Sequence, residues 1–431
     1  LVQFYYMPVL GGTIIALLLM SIQAISWGLM KQYGMKAVFP GYLLSFVPSI
    51  VLWCAMGDQN LLLSFVVALS GALLMGWIHN WFHNRLVKVV FELVSTALVY
   101  WFLGPVVFLY AALMIGDTLM KGKQNGHILS SLGYSACLLI LTVAWILLTT
   151  QSLQYPLYRI FSGLNYYRYP GTVSPLPLGV MIWTVVVVFF GMVPDGHAWI
   201  KKLQQSKVVI AVAYVLVIVA SWFGIKASFD EMTYDLIDYD FLVRTEQWDK
   251  IIEKAEKKPA TTPLSVSCVN LALSQKGMLA DRLFEFYQNG GEGLFPTFTR
   301  DMISPVSTAE IFFRLGMVND AERYMFEAQE AIPNHRKSAR LTRRIIECEI
   351  INGNYQVAAK LLRRLQKTLF YSNWANQTMA LLGNEKAINR HPIYGKLRKY
   401  REKKQDFLFS DREMDQMLGL LFLNDNHNKM A

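Results

Sequence analysis

Carboxylates are nearly missing from the first half of this chain. Between Leu1 and Ile225 the acids are Asp58, Glu92, Asp117 and Asp195, against eleven lysines and arginines; from Lys226 onward there are thirty basic and twenty-seven acidic residues. Water-facing surfaces need a dense mix of both charges, so a soluble globule is excluded for the first half. Cysteine is also scarce. Cys54, Cys137, Cys268 and Cys348 lie far apart with no CxxC spacing, so neither a zinc site nor a disulfide framework is indicated. A Cys268–Cys348 bridge would require an extracytoplasmic setting, and buried free thiols are the simpler expectation. The chain has no GxSxG, P-loop, GxGxxG or HExxH, so motifs assign no catalytic residue, no cofactor and no metal, and enzymatic activity stays open. No secretory signal with a charged leader and cleavage site is visible.

What is present is apolar length. Eight stretches, at Pro8 to Met30, Ala37 to Met56, Leu61 to Ile78, Leu86 to Leu103, Pro105 to Lys121, Gly133 to Thr150, Leu178 to Val193 and Val208 to Ile225, are each long enough to cross a hydrocarbon core as a helix. Gly104 and Pro105 split the fourth from the fifth, because glycine ends helices and proline opens them. The sequence therefore predicts an all-α protein with a transmembrane domain of about eight helices over 1–225.

Lys31, Lys36, Arg85, Lys88, Lys121, Lys123, Lys201, Lys202 and Lys207 fall in or beside alternate loops, which makes that side cytoplasmic. Leu1 then starts outside, and so does everything after Ile225. An outside start at Leu1 and a stop at Ala431 inside a helical pattern read as a chain trimmed at both ends, with a span upstream. The predicted setting is a bacterial inner membrane, with the C-terminal domain periplasmic and nucleic acid excluded as a partner.

"GLNYYRYPGT", Gly163 to Thr172, falls in the long outer loop. Its rings, Tyr166, Tyr167 and Tyr169, suit the headgroup layer of the lipid surface. With Arg159 and Arg168 they equally suit the lip of a pocket for a phosphate-bearing lipid or glycan, since arginine offers a planar fork to phosphate.

Inside the spans, Glu92 lies four residues after Lys88 and Asp117 four before Lys121, so each acid is expected to pair on its own helix. His79 and His83 share the i, i+4 spacing of a metal pair. Without a third ligand they are expected to cap the cytoplasmic interface.

Past Ile225 the pattern becomes amphipathic and repeating. In "IFFRLGMVNDAERYMFEAQEAIPN", Ile311 to Asn334, Gly316 precedes Ala321, Ala328 and Pro333, and the unit resembles a tetratricopeptide repeat. Gly277 and Gly353 stand at related places, "VRTEQWDKIIEKAEKKP" reads as a degenerate first unit, and "FLNDNHNKMA" as the start of another. The expectation for 226–431 is a tetratricopeptide-like α-solenoid of four to five hairpins, extracytoplasmic and truncated at its end. Arg336 to Lys404 holds seventeen basic against four acidic residues. Arg340, Arg343, Arg344, Arg363 and Arg364 are the candidate contacts there for an acidic protein, an anionic lipid or a glycan; a solvated outer helix face would carry the same charges.

"QFYYMPVLGG" (Gln3 to Gly12), "GLNYYRYP" and the repeats resemble a family of polytopic inner-membrane proteins of Bacteroidota whose function is unknown. The layout is also similar to lipid-linked-sugar transferases of the GT-C type, some of which carry luminal tetratricopeptide repeats. That second resemblance implies catalytic acids upstream of Leu1, with Asp58 as the one outer acid of the spans in this chain. The expected function is a membrane scaffold presenting the repeat domain to a protein or envelope component, and a glycosyltransferase is the alternative. The topology predicts that a membrane-impermeant thiol reagent labels a cysteine placed at Ser228, and not one at Gln204, in whole spheroplasts. The opposite pattern inverts the map.

Overall fold

The computed structural model describes residues 8–33, 35, 38–58, 61–152, 156–162, 175–190, 206–297, 304–332 and 337–399. The protein is all-α: every regular element among the described residues is a helix. The chain divides into two compact units between Asp230 and Glu231.

The first unit contains α1 (Pro8–Gln32), α2 (Val38–Leu44), α3 (Val47–Ala55), α4 (Leu63–His79), α5 (Arg85–Leu103), α6 (Val107–Gln124), α7 (Ile128–Thr150), α8 (Leu157–Ser162), α9 (Leu176–Phe190) and α10 (Lys207–Ser228). Among the described residues four helical runs are long and apolar enough to cross a membrane: Val9–Gln32, Arg85–Lys123, Ile128–Thr150 and Lys207–Ser228. Gly41–Ala55, Leu63–His79 and Leu176–Phe189 are shorter apolar helices. The expected single span from Ala37 to Met56 is interrupted after Leu44, where Pro48 in the first turn of α3 has no N–H with which to continue a helix.

Arg85–Lys123 folds back on itself. Lys88 Nζ lies 3.2 Å from Asp117 Oδ2, although a straight helix would hold residues 29 apart at about 44 Å. Ser95 Oγ and Tyr110 Oη meet at 2.7 Å across the same hairpin. Gly104 makes the turn with φ +70°, and a short 3-10 turn over Gly104–Val106 leads into α6.

The core of this unit joins Ile22, Leu29, Leu52, Leu69, Leu73, Tyr110, Leu113 and their neighbours. Its outside is as apolar as its inside: Leu86, Phe102, Ile140, Val208 and Phe223 are all exposed, and α10 buries no residue at all. An exposed apolar surface of this extent needs an apolar solvent, so the unit associates with a membrane.

The second unit runs as helix pairs: α11 (Glu231–Arg244) with α12 (Trp248–Lys257), α13 (Pro263–Gln275) with α14 (Leu279–Arg282), and α15 (Ser304–Leu315) with α16 (Val318–Ala331). Next come α17 (Ala339–Asn352) with α18 (Tyr355–Leu365), α19 (Ser372–Leu381) with α20 (Glu385–Arg390), and a last turn, α21 (Tyr394–Arg398). Proline at the first turn of α13 and the reciprocal Thr262–Ser265 capping box fix where that helix starts.

One device turns the pairs. Gly277, Gly316, Gly353 and Gly383 have φ +73°, +83°, +85° and +79°, and Glu246 takes the equivalent place in the first pair at φ +60°. In the first four turns the following N–H reaches back five residues: Gln247 to Leu242 O (3.0 Å), Met278 to Leu273 O (2.9 Å), Met317 to Phe312 O (3.0 Å) and Asn354 to Glu349 O (2.8 Å). This is the Schellman closure, which needs a left-handed residue and favours glycine. Small Ala321, Ala328 and Ala358 are buried where the helices meet.

Consecutive pairs pack on one another, but contact does not stop at neighbours. Helix α11 also packs on α15, two pairs further on. Arg340 of the fourth pair donates to Asp240 of the first at 2.7 Å. An open solenoid joins each repeat to its neighbours alone. This array is curled more tightly than that, because its interior acids and arginines bridge across it. A Cβ on Gly277 would meet nothing within 4 Å, so Gly277→Ala isolates the conformational cost. It is expected to lower the unfolding free energy by about 1 kcal/mol, measured by denaturant melts of the purified protein.

Candidate functional site

Of the residues expected to bind or react, Tyr166, Tyr167, Arg168 and Tyr169 lie outside the described residues, and Arg159 is described only as part of the backbone of α8. Asp58 sits half-buried just after α3. The structure gathers two other groups of charge.

The first is inside the apolar unit. His79, Glu92 and Asp117 are fully buried. Glu92 does not pair with Lys88 as its spacing suggested. His79 Nε2 stands 2.8 Å from Glu92 Oε1, and the hydroxyl of Tyr134 donates to Glu92 Oε2. Lys88 instead reaches Asp117 Oδ2 at 3.2 Å, while Lys121 holds Asp117 Oδ1 at 2.7 Å, the one expected same-helix pair that forms.

The geometry explains the exchange. His79 closes α4, Asn84 caps α5 by accepting from the N–H groups of Leu86 and Val87, and the tight connection aims Glu92, two turns into α5, back at His79. Nor is His79 the interface cap it was expected to be. The spacing with His83 comes to nothing, since His83 donates to the carbonyl of Trp81 at 2.8 Å. The cluster ties α4, α5, α6 and α7 together, and it places an imidazole and a phenol on the two oxygens of one carboxyl. The arrangement gives both oxygens of a carboxyl buried among apolar helices a polar partner.

The second group lines the inside of the helix pairs. Arg344 forks onto Glu310 at 2.6 and 3.1 Å, also reaches Glu347, and stacks 3.8 Å over the ring of Phe313. Burial pushes the Glu310 carboxyl up, but the guanidiniums of Arg344, Arg340 and Arg314 outweigh it and hold the group at about 2. Arg314 pairs with Glu246 at 2.5 Å.

Arg340 and Arg344, expected on a partner-facing patch, are therefore drawn inside by acids far away in sequence. Arg340 retains 6% of its surface. Arg343 stays at the rim, its side chain 44% exposed, 3.2 Å from Glu347 and 4.7 Å over Trp374. Arg363 and Arg364 of α18 are exposed. Mid-helix acids among apolar neighbours, as in "IDYDFLV" and "STAEIFF", are the sequence signal that an internal cation must meet them.

Cys268 and Cys348 are free and buried, and burial raises both thiols well above the usual range, which makes them inert. No group of three or more metal-ligating side chains occurs among the described residues. A cleft of about 550 Å³ beside α11 and α12 is lined by Lys250, Lys254, Lys257 and Lys258, but Asp238, Asp235, Glu253 and Glu231 neutralise most of that charge.

The model of a family of unknown function, DUF6057, matches residues 1–431. No curated protein and no solved structure matches the chain.

One carboxyl pair gives the second unit a pH signature. Burial, then the charge and hydrogen bond of Glu349, push Glu322 up to about 8 from the ordinary 4.5. A carboxyl that holds its proton more tightly folded than unfolded stabilises the fold below about 4.5, and that contribution fades as the pH climbs to about 8. The melting temperature is expected to fall across that window, and Glu322→Gln is expected to flatten the slope in melts taken at stepped pH.

Proposed function

Because this chain belongs over its whole length to a family of unknown function, its role has to be argued from its own geometry, and we propose that it is an integral membrane scaffold. In this reading the apolar helices anchor the protein in a bacterial inner membrane, and the tetratricopeptide-like helix pairs hold a protein partner on the extracytoplasmic side. The observation that carries the reading is the recurrent left-handed turn, used at Glu246, Gly277, Gly316, Gly353 and Gly383. A fold that spends five similar turns on stacking hairpins builds surface. Arg343, held at the rim over Trp374, is the arginine of α17 best placed to meet a partner.

The test is crosslinking and co-purification of the intact protein from its native membrane, beside Arg343→Ser and Asp58→Asn variants of equal abundance. The expected result is one dominant companion protein, weakened several-fold by Arg343→Ser, with cellular glycans unchanged. Loss of a glycan product in Asp58→Asn, with no companion protein in any sample, would overturn the scaffold in favour of a GT-C-like transferase.

A further inference from the structure

Helix α18 has two unlike faces. Ala358, Leu362 and Leu365 are buried inside, whereas Lys360, Arg363 and Arg364 are exposed on the other side, and Lys367 is exposed in the turn that follows. None of these four cations has an ion pair among the described residues. No aspartate or glutamate occurs between Tyr355 and Asn384 to match them, whereas Arg282, Arg314, Arg340, Arg343, Arg344 and Arg398 of the same unit are all paired. Directly beyond the helix, in the turn before α19, Leu369 is 85% exposed and Phe370 53% exposed.

We propose that this face docks on the anionic phospholipid surface of the membrane in which the chain is anchored. The cations meet phosphodiester groups, and Leu369 and Phe370 enter the boundary between headgroups and acyl chains. Charge selects the occupant. Four unmatched cations seek phosphate, and a leucine and a phenylalanine standing out of a convex turn offer a partner no groove. The chain also favours it, since α10 ends at Ser228 and the helix pairs start at Glu231, a tether of two residues that keeps α18 at high local concentration near a bilayer. Attraction of this kind acts over a Debye length, about 8 to 10 Å at cellular salt. The inference adds a lipid contact to the scaffold reading and does not depend on which partner that scaffold holds.

The full chain, with Cys54 and Cys137 replaced by serine, takes a bimane label at Leu369→Cys and is reconstituted into vesicles of phosphatidylcholine alone or with about one-third phosphatidylglycerol. Nitroxide-bearing lipids report contact. The expected result is quenching several-fold stronger in the anionic vesicles. It is lost in about 0.5 M salt and in the surface variant Arg363→Ser, Arg364→Ser, Lys367→Ser, whose helix content is checked by circular dichroism. Equal quenching in neutral vesicles, quenching that survives the triple variant, or equal quenching of a label at Asp281→Cys each overturns the proposal. So does a label that stays open to aqueous iodide in both vesicle types. Should that same label be shielded only in native membranes, the face belongs to a protein instead.

Discussion

A carboxylate taken out of water has to be met by donors of the protein itself, and both halves of this molecule are arranged around that requirement. In the apolar unit Glu92 is met by His79 and Tyr134, and Asp117 by Lys88 and Lys121. In the helix pairs Glu310 and Glu347 are met by Arg344, and Asp240 by Arg340. Breaking such a pair leaves a bare buried charge, at about 3 to 5 kcal/mol, which is far more than a surface pair is worth. The matched charges bridge helices that are otherwise joined by apolar packing.

This requirement also explains how far the amino-acid order could be read directly. Features set by neighbours in sequence were legible: the apolar character of the first unit, the break at Gly104 and the turn glycines. Pairings set by distance were not. Glu92 has Lys88 one turn away, yet its partners come from 13 residues before it and 42 after it. Arg340 looks like part of a basic surface run until Asp240, 100 residues earlier, is brought beside it. The tyrosine and arginine loop around Arg168 was legible only as composition, and its residues lie outside those described.

The repeat shows both limits at once. Glycine marks the turns at 277, 316 and 353 plainly, but Glu246 hides the first one, because a non-glycine in the left-handed region gives no sequence signal. Glu246 holds that conformation while its carboxylate pairs with Arg314, two helix pairs away. The side chain gives a reason for the backbone strain that glycine would have avoided.

The bridge from Asp240 to Arg340 has a mechanical consequence. Asp240 stands in the first helix of the second unit, and its partner stands three helix pairs further along. A pull on that first helix is shared at once with the far part of the array, bypassing the turns in between. Where a string of neighbour-linked repeats would peel from its tethered end, this one is clasped, and it yields as a block or not at all.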